Sequence, residues 1–139
     1  MASIHKEFPI DAKPEDVWDA LRDFGALHTR LAVGFVTDTQ VEPDGAARLV
    51  TFANGTTARE MLVTMDDERR RLVYAVAANE RIKQHSATVQ VFAEGANQTR
   101  FVWIADILPN EIAAYIDEQM EMGAAAIRKT LERRRHSPS

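Results

Sequence analysis

The sequence predicts an α+β fold in which a curved antiparallel sheet of about seven strands wraps around one long C-terminal helix. Two short helices are predicted after the first strand. Three observations support this fold class. A helical periodicity extends over residues 109–133, strand-like segments joined by short turns fill residues 35–107, and a proline opens a helical segment near the N-terminus.

The long helix is predicted by apolar residues that recur every three or four positions and therefore share one face. Pro109 suits the first helical position, where its missing N–H is not needed. The apolar stripe comprises Ile112, Ile116, Met120, Ala124, Ile127 and Leu131, and it is widened by Tyr115, Met122 and Ala126. Gly123 costs about 1 kcal/mol relative to alanine inside a helix. Gly123 and the alanines after it form a slim segment, which indicates either a close core contact with the sheet or the border of a cavity.

The N-terminal part predicts one strand and two short helices. Residues 3–8 alternate as a strand, with Ile4 and Phe8 on one face. Pro14 opens the first helix. Its predicted buried face contains Val17, Trp18 and Leu21. Residues 24–28 leave this helix and predict the second short one.

Six further strands are predicted at residues 35–42, 46–53, 56–65, 71–77, 82–93 and 98–107. The segments between them are rich in glycine, asparagine and aspartate, which favour turns. Asn54-Gly55 is the pair most typical of a tight β-hairpin. Strands joined in succession by such short turns must run antiparallel.

Composition restricts the class of protein. The chain has 139 residues, a formal net charge of -4 and no cysteine. It is long enough for one domain with a sizeable core, and its charge gives no general attraction to nucleic acid. We expect a single domain over residues 1–135 and a frayed tail over residues 136–139. No signal peptide and no membrane span are predicted. We therefore expect a cytoplasmic monomer or homodimer.

The sequence lacks the short motifs of common catalytic and cofactor sites. It contains no HExxH, no CxxC, no glycine-rich phosphate loop and no GxSxG. The 4 histidines are scattered along the chain. We therefore expect neither a metal ion nor a cofactor.

The order of these elements and several local segments resemble the START-like helix-grip superfamily (SRPBCC), and specifically its polyketide cyclase/dehydrase-like branch. The resemblance covers nearly the whole chain. Its segments are Ala12–Trp18, Asp23–His28, Arg59–Leu62 with Asp66-Asp67, Arg71–Tyr74 and Thr99–Trp103. The resemblance implies a cavity for a hydrophobic or amphipathic small molecule that is lipid-, polyketide- or quinone-like. It implies no universal catalytic residue.

Strand alternation predicts which residues face the helix. The predicted inward residues on three strands are His85, Ala87, Val89 and Val91; Phe101, Trp103, Ala105 and Ile107; and Leu72, Tyr74 and Val76. On residues 56–65 an outward Arg59 places Ala58, Glu60, Leu62 and Thr64 inward. A one-residue bulge would invert this last assignment.

Glu60 and His85 are therefore candidate polar groups on an apolar concave face, for ligand binding or for acid/base catalysis. The alternative is that each lies at the cavity rim, either solvated or paired with Lys83 or Arg59. If they are linked, the carboxylate should raise the pKa of His85 above about 6.5, whereas burial alone should lower it. His28 is expected in a solvated loop near the cavity mouth. The predicted ligand-binding residues are Glu60, Leu62, Tyr74, His85, Val89, Trp103, Tyr115, Ile116, Met120 and Gly123.

Three functions are compatible with this pattern. The first is a carrier or sensor that binds a hydrophobic small molecule. The second is a polyketide cyclase, aromatase or dehydratase in which Glu60 or His85 transfers a proton; such an enzyme needs mainly a shaped cavity and one or two acid/base groups. The third is a protein-interaction module, which requires an exposed apolar patch.

Overall fold

A computed structural model describes the backbone of residues 2–136 and the side chains of residues 2–133. Helix α1 spans Pro14–Arg22 and helix α2 spans Ala113–His136. A π-helical turn covers Leu27–Leu31 and a 3-10 turn covers Asn110–Ile112. The strands are β1 Ala2–Ile10, β2 Val36–Val41, β3 Ala47–Phe52, β4 Thr57–Asp66, β5 Arg71–Val76, β6 Gln84–Ala93 and β7 Thr99–Leu108.

The strands form one seven-stranded antiparallel sheet in the order β1-β7-β6-β5-β4-β3-β2. Strands β2 to β7 pair in succession, and the first strand closes the other side by pairing with the last. The long helix α2 covers one face of this sheet. This is the predicted helix-grip architecture, with the core between α2 and the inner face of the sheet.

The core follows the predicted apolar stripe. Ile116, Met120, Ile127 and Leu131 of α2 are buried in the same cluster as the inward residues of the central strands. Two residues that were predicted to widen the stripe are exposed, Tyr115 to 39% and Met122 to 51%. Met122 follows Met120 by two residues, which is a rotation of about 200° around the helix, so it faces away from the sheet.

The start of the long helix differs from the prediction. Pro109 directly continues β7 and keeps an extended backbone, with φ −79° and ψ 166°. The 3-10 turn then reverses the chain, and α2 begins only at Ala113. At its other end α2 includes His136. The remainder of the predicted frayed tail, residues 137–139, lies outside the described residues.

Strand β4 contains the bulge that would invert its alternation. Leu62 pairs with Tyr74, but the next pair is Thr64 with Val73, so Val63 is the extra residue. The inward prediction therefore holds for Glu60 and Leu62 but is wrong for Thr64. After the bulge Met65 takes the inner face and packs against the core, because the extra residue shifts the two-residue period by one.

Candidate ligand-binding cavity

The concave face of the sheet and α2 enclose a cavity of about 710 Å³. Strands β3 to β7, the π-helical turn and α2 all contribute to its lining. Its walls are largely apolar, and they include Leu31, Phe35, Leu72, Val89, Phe101, Ile116, Met120 and Ile127. Cavities of roughly 300–1,000 Å³ with few polar groups are typical small-molecule sites.

The structure places the predicted site residues in this lining, with Leu62 as the exception. Leu62 shares the inner face of β4 with Glu60, but its side chain packs against the buried core. Those that do line the cavity are Glu60, Tyr74, His85, Val89, Trp103, Tyr115, Ile116, Met120 and Gly123.

One wall carries a buried ion pair that the sequence did not predict. Arg48 on β3 donates from Nε and Nη2 to Oε1 of Glu60, at 3.0 and 2.8 Å. Its Nη1 donates to the carbonyl oxygen of Phe24 at 3.0 Å, and the guanidinium lies 4.2 Å from the centroid of the Phe24 ring. Only 6% and 8% of the two charged side chains are exposed. The carboxylate is therefore held by a partner inside the protein.

Tyr74 lies beside this pair and completes what we call the polar wall, Arg48, Glu60 and Tyr74. Trp103 donates from Nε1 to the Tyr74 hydroxyl oxygen at 3.2 Å. Burial, and secondarily the nearby Glu60 carboxylate, raise the pKa of Tyr74, so its hydroxyl stays protonated at neutral pH. Because this oxygen already accepts from Trp103, its own O–H is the group that can donate to a ligand.

The predicted link between Glu60 and His85 is not formed. Glu60 pairs with Val76 of β5, and the register of β5 with β6 places His85 beside Val76. A whole strand therefore separates the two residues. Neighbouring strands lie about 4.8 Å apart, so the two backbones are about 10 Å apart. The two ionisable groups face the same cavity from separate positions.

His85 is consequently governed by burial. Its Nδ1 is buried and has no hydrogen-bond partner among the described residues. Desolvation lowers the pKa of His85, because an apolar environment disfavours the charged ring. The raised pKa expected from a carboxylate link is wrong, and the ring is neutral at pH 7.

Gly123 on α2 both allows a close contact with the sheet and borders the cavity, which are the two possibilities that the sequence left open. A Cβ at this position would lie 3.1 Å from Cη2 of Trp103 and 3.3 Å from Cε2 of Phe35. The absence of a side chain thus lets Trp103 approach α2 closely. Gly123 also belongs to the cavity lining.

Polar and exposed residues enter the cavity lining near the start of α2. Tyr115 is 39% exposed. The guanidinium of Arg81, from the β5–β6 connection, lies 5.5 Å from the centroid of the Tyr115 ring. His28 is not part of the cavity lining and is not a solvated loop residue. It is partly buried, and its Nδ1 lies 3.1 Å from the buried Thr39 hydroxyl.

Two features are absent from the residues that the structure describes. No three histidine, aspartate or glutamate side chains among them are grouped so that they could hold a metal ion. No helix among them is long and apolar enough to span a bilayer.

Comparisons with known proteins agree with this architecture. A family profile described as "Polyketide cyclase / dehydrase and lipid transport" matches residues 1–135. The protein XoxI from Bacillus cereus is similar in structure, with a TM-score of 0.85 and 20% identity over 99% of this chain and 100% of that chain. A START superfamily protein from Mycobacterium smegmatis has a TM-score of 0.76 and 12% identity, over 94% of this chain and 97% of that one.

A third similar structure is the di-domain ARO/CYC protein BexL from the BE-7585A biosynthetic pathway. It has a TM-score of 0.80 and 13% identity, and the match covers 99% of this chain and 48% of that chain. A search of curated proteins finds no match. At these identities the structural similarity shows the fold alone.

The sheet, the long helix and the cavity between them define a START-like protein of the helix-grip class. Because the profile spans residues 1–135, the chain belongs to the family of polyketide cyclases/dehydrases and lipid-transport proteins.

Proposed function

We propose that this protein binds a hydrophobic or amphipathic small molecule inside the cavity and acts as its carrier or sensor. The ligand class is lipid-, polyketide- or quinone-like, and the protein works in the cytoplasm as a monomer or homodimer. The observation that carries the proposal is the cavity of about 710 Å³ with mostly apolar walls. A globular interior is normally packed without voids larger than a water molecule, so a space of this size needs an occupant to be useful.

Native mass spectrometry of protein purified from its own host tests this proposal. We expect a bound mass in the range of a lipid or polyketide, which is released on denaturation. Binding of an apolar fluorescent dye to the ligand-free protein should compete with the released compound. A protein that carries no compound and binds no apolar dye would contradict the binding function.

A cyclase or dehydratase is the second candidate, and the position of His85 favours it. A neutral imidazole in an apolar cavity can exchange a proton with a carbonyl substrate. Glu60 is the weaker candidate, because a proton added to its carboxylate would leave the buried Arg48 charge unbalanced. Conversion of a poly-carbonyl substrate by the parent, lost in His85→Phe while the apolar dye still binds, would support catalysis.

The interaction-module hypothesis stays a prediction. It requires a contiguous exposed apolar patch. The large exposed apolar side chains lie on separate elements, among them Val41 on β2, Val63 on β4 and Met122 on α2.

A further inference from the structure

We propose that the cavity selects an elongated, neutral molecule that presents a hydrogen-bond acceptor oxygen, such as a ketone, to His85 and a hydroxyl or phenol to Glu60. This inference rests on the proposed binding function and specifies its ligand class. It follows from the spacing of the two polar groups, from the orientation of the His85 ring and from the charge balance of the Arg48–Glu60 pair.

The spacing sets the length of the molecule. Glu60, Val76 and His85 lie in one row across β4, β5 and β6, and all three side chains line the cavity. The backbones of Glu60 and His85 are about 10 Å apart, and Val76 is an apolar spacer between them. A ligand that contacts both polar groups must therefore carry its own polar groups at opposite ends of an apolar body.

The ring of His85 acts as a donor toward the cavity. Its Nδ1 is buried without a partner, whereas Nε2 is not enclosed in this way, and the residue lines the cavity. A neutral imidazole carries one N–H and one bare nitrogen. A buried N–H without an acceptor is among the rarest defects in proteins. The proton therefore belongs on Nε2, which can donate it to a ligand oxygen.

The carboxylate of Glu60 acts as an acceptor. Its Oε1 receives both hydrogen bonds from Arg48, and no described residue donates to Oε2. An ionised carboxylate can only accept, so a ligand group at Oε2 must donate, as a hydroxyl or phenol does. The adjacent Tyr74 hydroxyl can donate to the same ligand oxygen.

The charge balance excludes an acidic ligand at this end. Arg48 and Glu60 neutralise each other inside the protein, with less than a tenth of either side chain exposed. A ligand carboxylate would add a second buried negative charge with no cation of its own, which is strongly unfavourable. A neutral hydroxyl group therefore fits at the Glu60 end, and a carboxylate does not.

The test uses fluorescence titration with a matched set of naphthalene probes. The full probe is an acetyl-naphthol with its hydroxyl and acetyl groups at opposite ends of the ring system. Two truncated probes lack either the acetyl or the hydroxyl group, and a third replaces the hydroxyl with a carboxylate. Each is measured with the parent protein, with His85→Phe and with His5→Phe, which makes the same change on the exposed face of β1.

We expect the full probe to bind the parent about five- to tenfold more tightly than either truncated probe, as one hydrogen bond per end predicts. His85→Phe should abolish the advantage of the acetyl group but keep that of the hydroxyl, and His5→Phe should change neither. The carboxylate probe should bind more weakly than the full probe. Truncation of the hydroxyl on the ligand tests the Glu60 end without a substitution that could unfold the protein.

NMR of the imidazole nitrogens supplies an independent readout, because it distinguishes the two neutral forms of the ring. We expect the proton of His85 on Nε2. A proton on Nδ1, equal binding of full and truncated probes, or preference for the carboxylate probe would overturn the inference while leaving a binding function in place. No binding of any probe would instead contradict the proposed function itself.

Discussion

Substitution of one member of the Arg48–Glu60 pair should be the most destabilising polar change in the cavity. The variant Arg48→Met leaves the Glu60 carboxylate buried without its cation, and Glu60→Leu leaves the guanidinium without its anion. Removal of one partner from a buried pair costs about 3–5 kcal/mol. The 6% and 8% exposure of these side chains places them in that class. For a domain of this length, such a loss lowers Tm by about 9–15 °C.

The double variant Arg48→Met/Glu60→Leu separates charge burial from packing. It removes both charges and leaves only the Phe24 carbonyl without its donor, which costs about 1–3 kcal/mol. We therefore expect the double variant to be more stable than either single variant. Urea unfolding followed by tryptophan fluorescence measures all three free energies of unfolding.

The control for this cycle is Arg59→Met, which breaks the exposed ion pair of Arg59 with Glu42. These side chains are 46% and 35% exposed, and exposed pairs contribute little to stability. The control should change the unfolding midpoint far less than Arg48→Met. The pair would not be a buried, desolvated ion pair if the losses in free energy of unfolding of the two single variants simply added up in the double variant. Equal losses for Arg48→Met and Arg59→Met would lead to the same conclusion.

Three further predictions concern other parts of the cavity. Gly123→Leu should destabilise the folded protein by about 1–3 kcal/mol and weaken binding of an apolar dye, since the new side chain meets Trp103; unchanged dye affinity in a folded variant would show that Gly123 does not border the site. Burial lowers the pKa of His85 in the folded protein, so as the pH falls this histidine is protonated first in the unfolded chain. The contribution of the neutral ring to the free energy of unfolding is therefore fully present above about pH 6.5 and is lost as the pH falls below that value. Urea unfolding at neutral and acidic pH should show a smaller acid loss in His85→Phe, and an identical loss in both proteins would contradict the buried neutral ring. Tyr115→Ala should widen the edge of the cavity where Arg81 meets the ring, so stopped-flow measurements should give faster dye dissociation; an unchanged rate would place the entrance elsewhere.

The sequence by itself determined the order of the elements and most of their faces. Side chains alternate along a strand with a period of two and recur along a helix with a period of 3.6, so local patterns were enough to place His85 and Trp103 inward and Ile116 toward the sheet. The glycines of the predicted turns also behave as expected. Gly45 and Gly55 adopt φ of 75° and 88°, a conformation that glycine reaches without steric cost.

The tertiary structure alone decided which polar groups meet. A two-residue Asn54-Gly55 loop would pair Arg48 with Met61, but Phe52 and Thr56 close a loop one residue longer, and Arg48 then pairs with Glu60. A similar one-residue event, the bulge after Leu62, moves Met65 to the inner face.

Strand adjacency decided the rest of the site. Strand β5 lies between β4 and β6 and keeps Glu60 and His85 apart. The Glu60 carboxylate is therefore neutralised by Arg48, and the pKa of His85 is lowered by burial alone. Alternation depends only on local backbone geometry and is readable in one segment. Pairing between strands depends on loop lengths, bulges and the order of the strands in the sheet. A shift of one residue in a loop or bulge changes every cross-strand partner, and the hydrophobic pattern of the other strands does not reveal it.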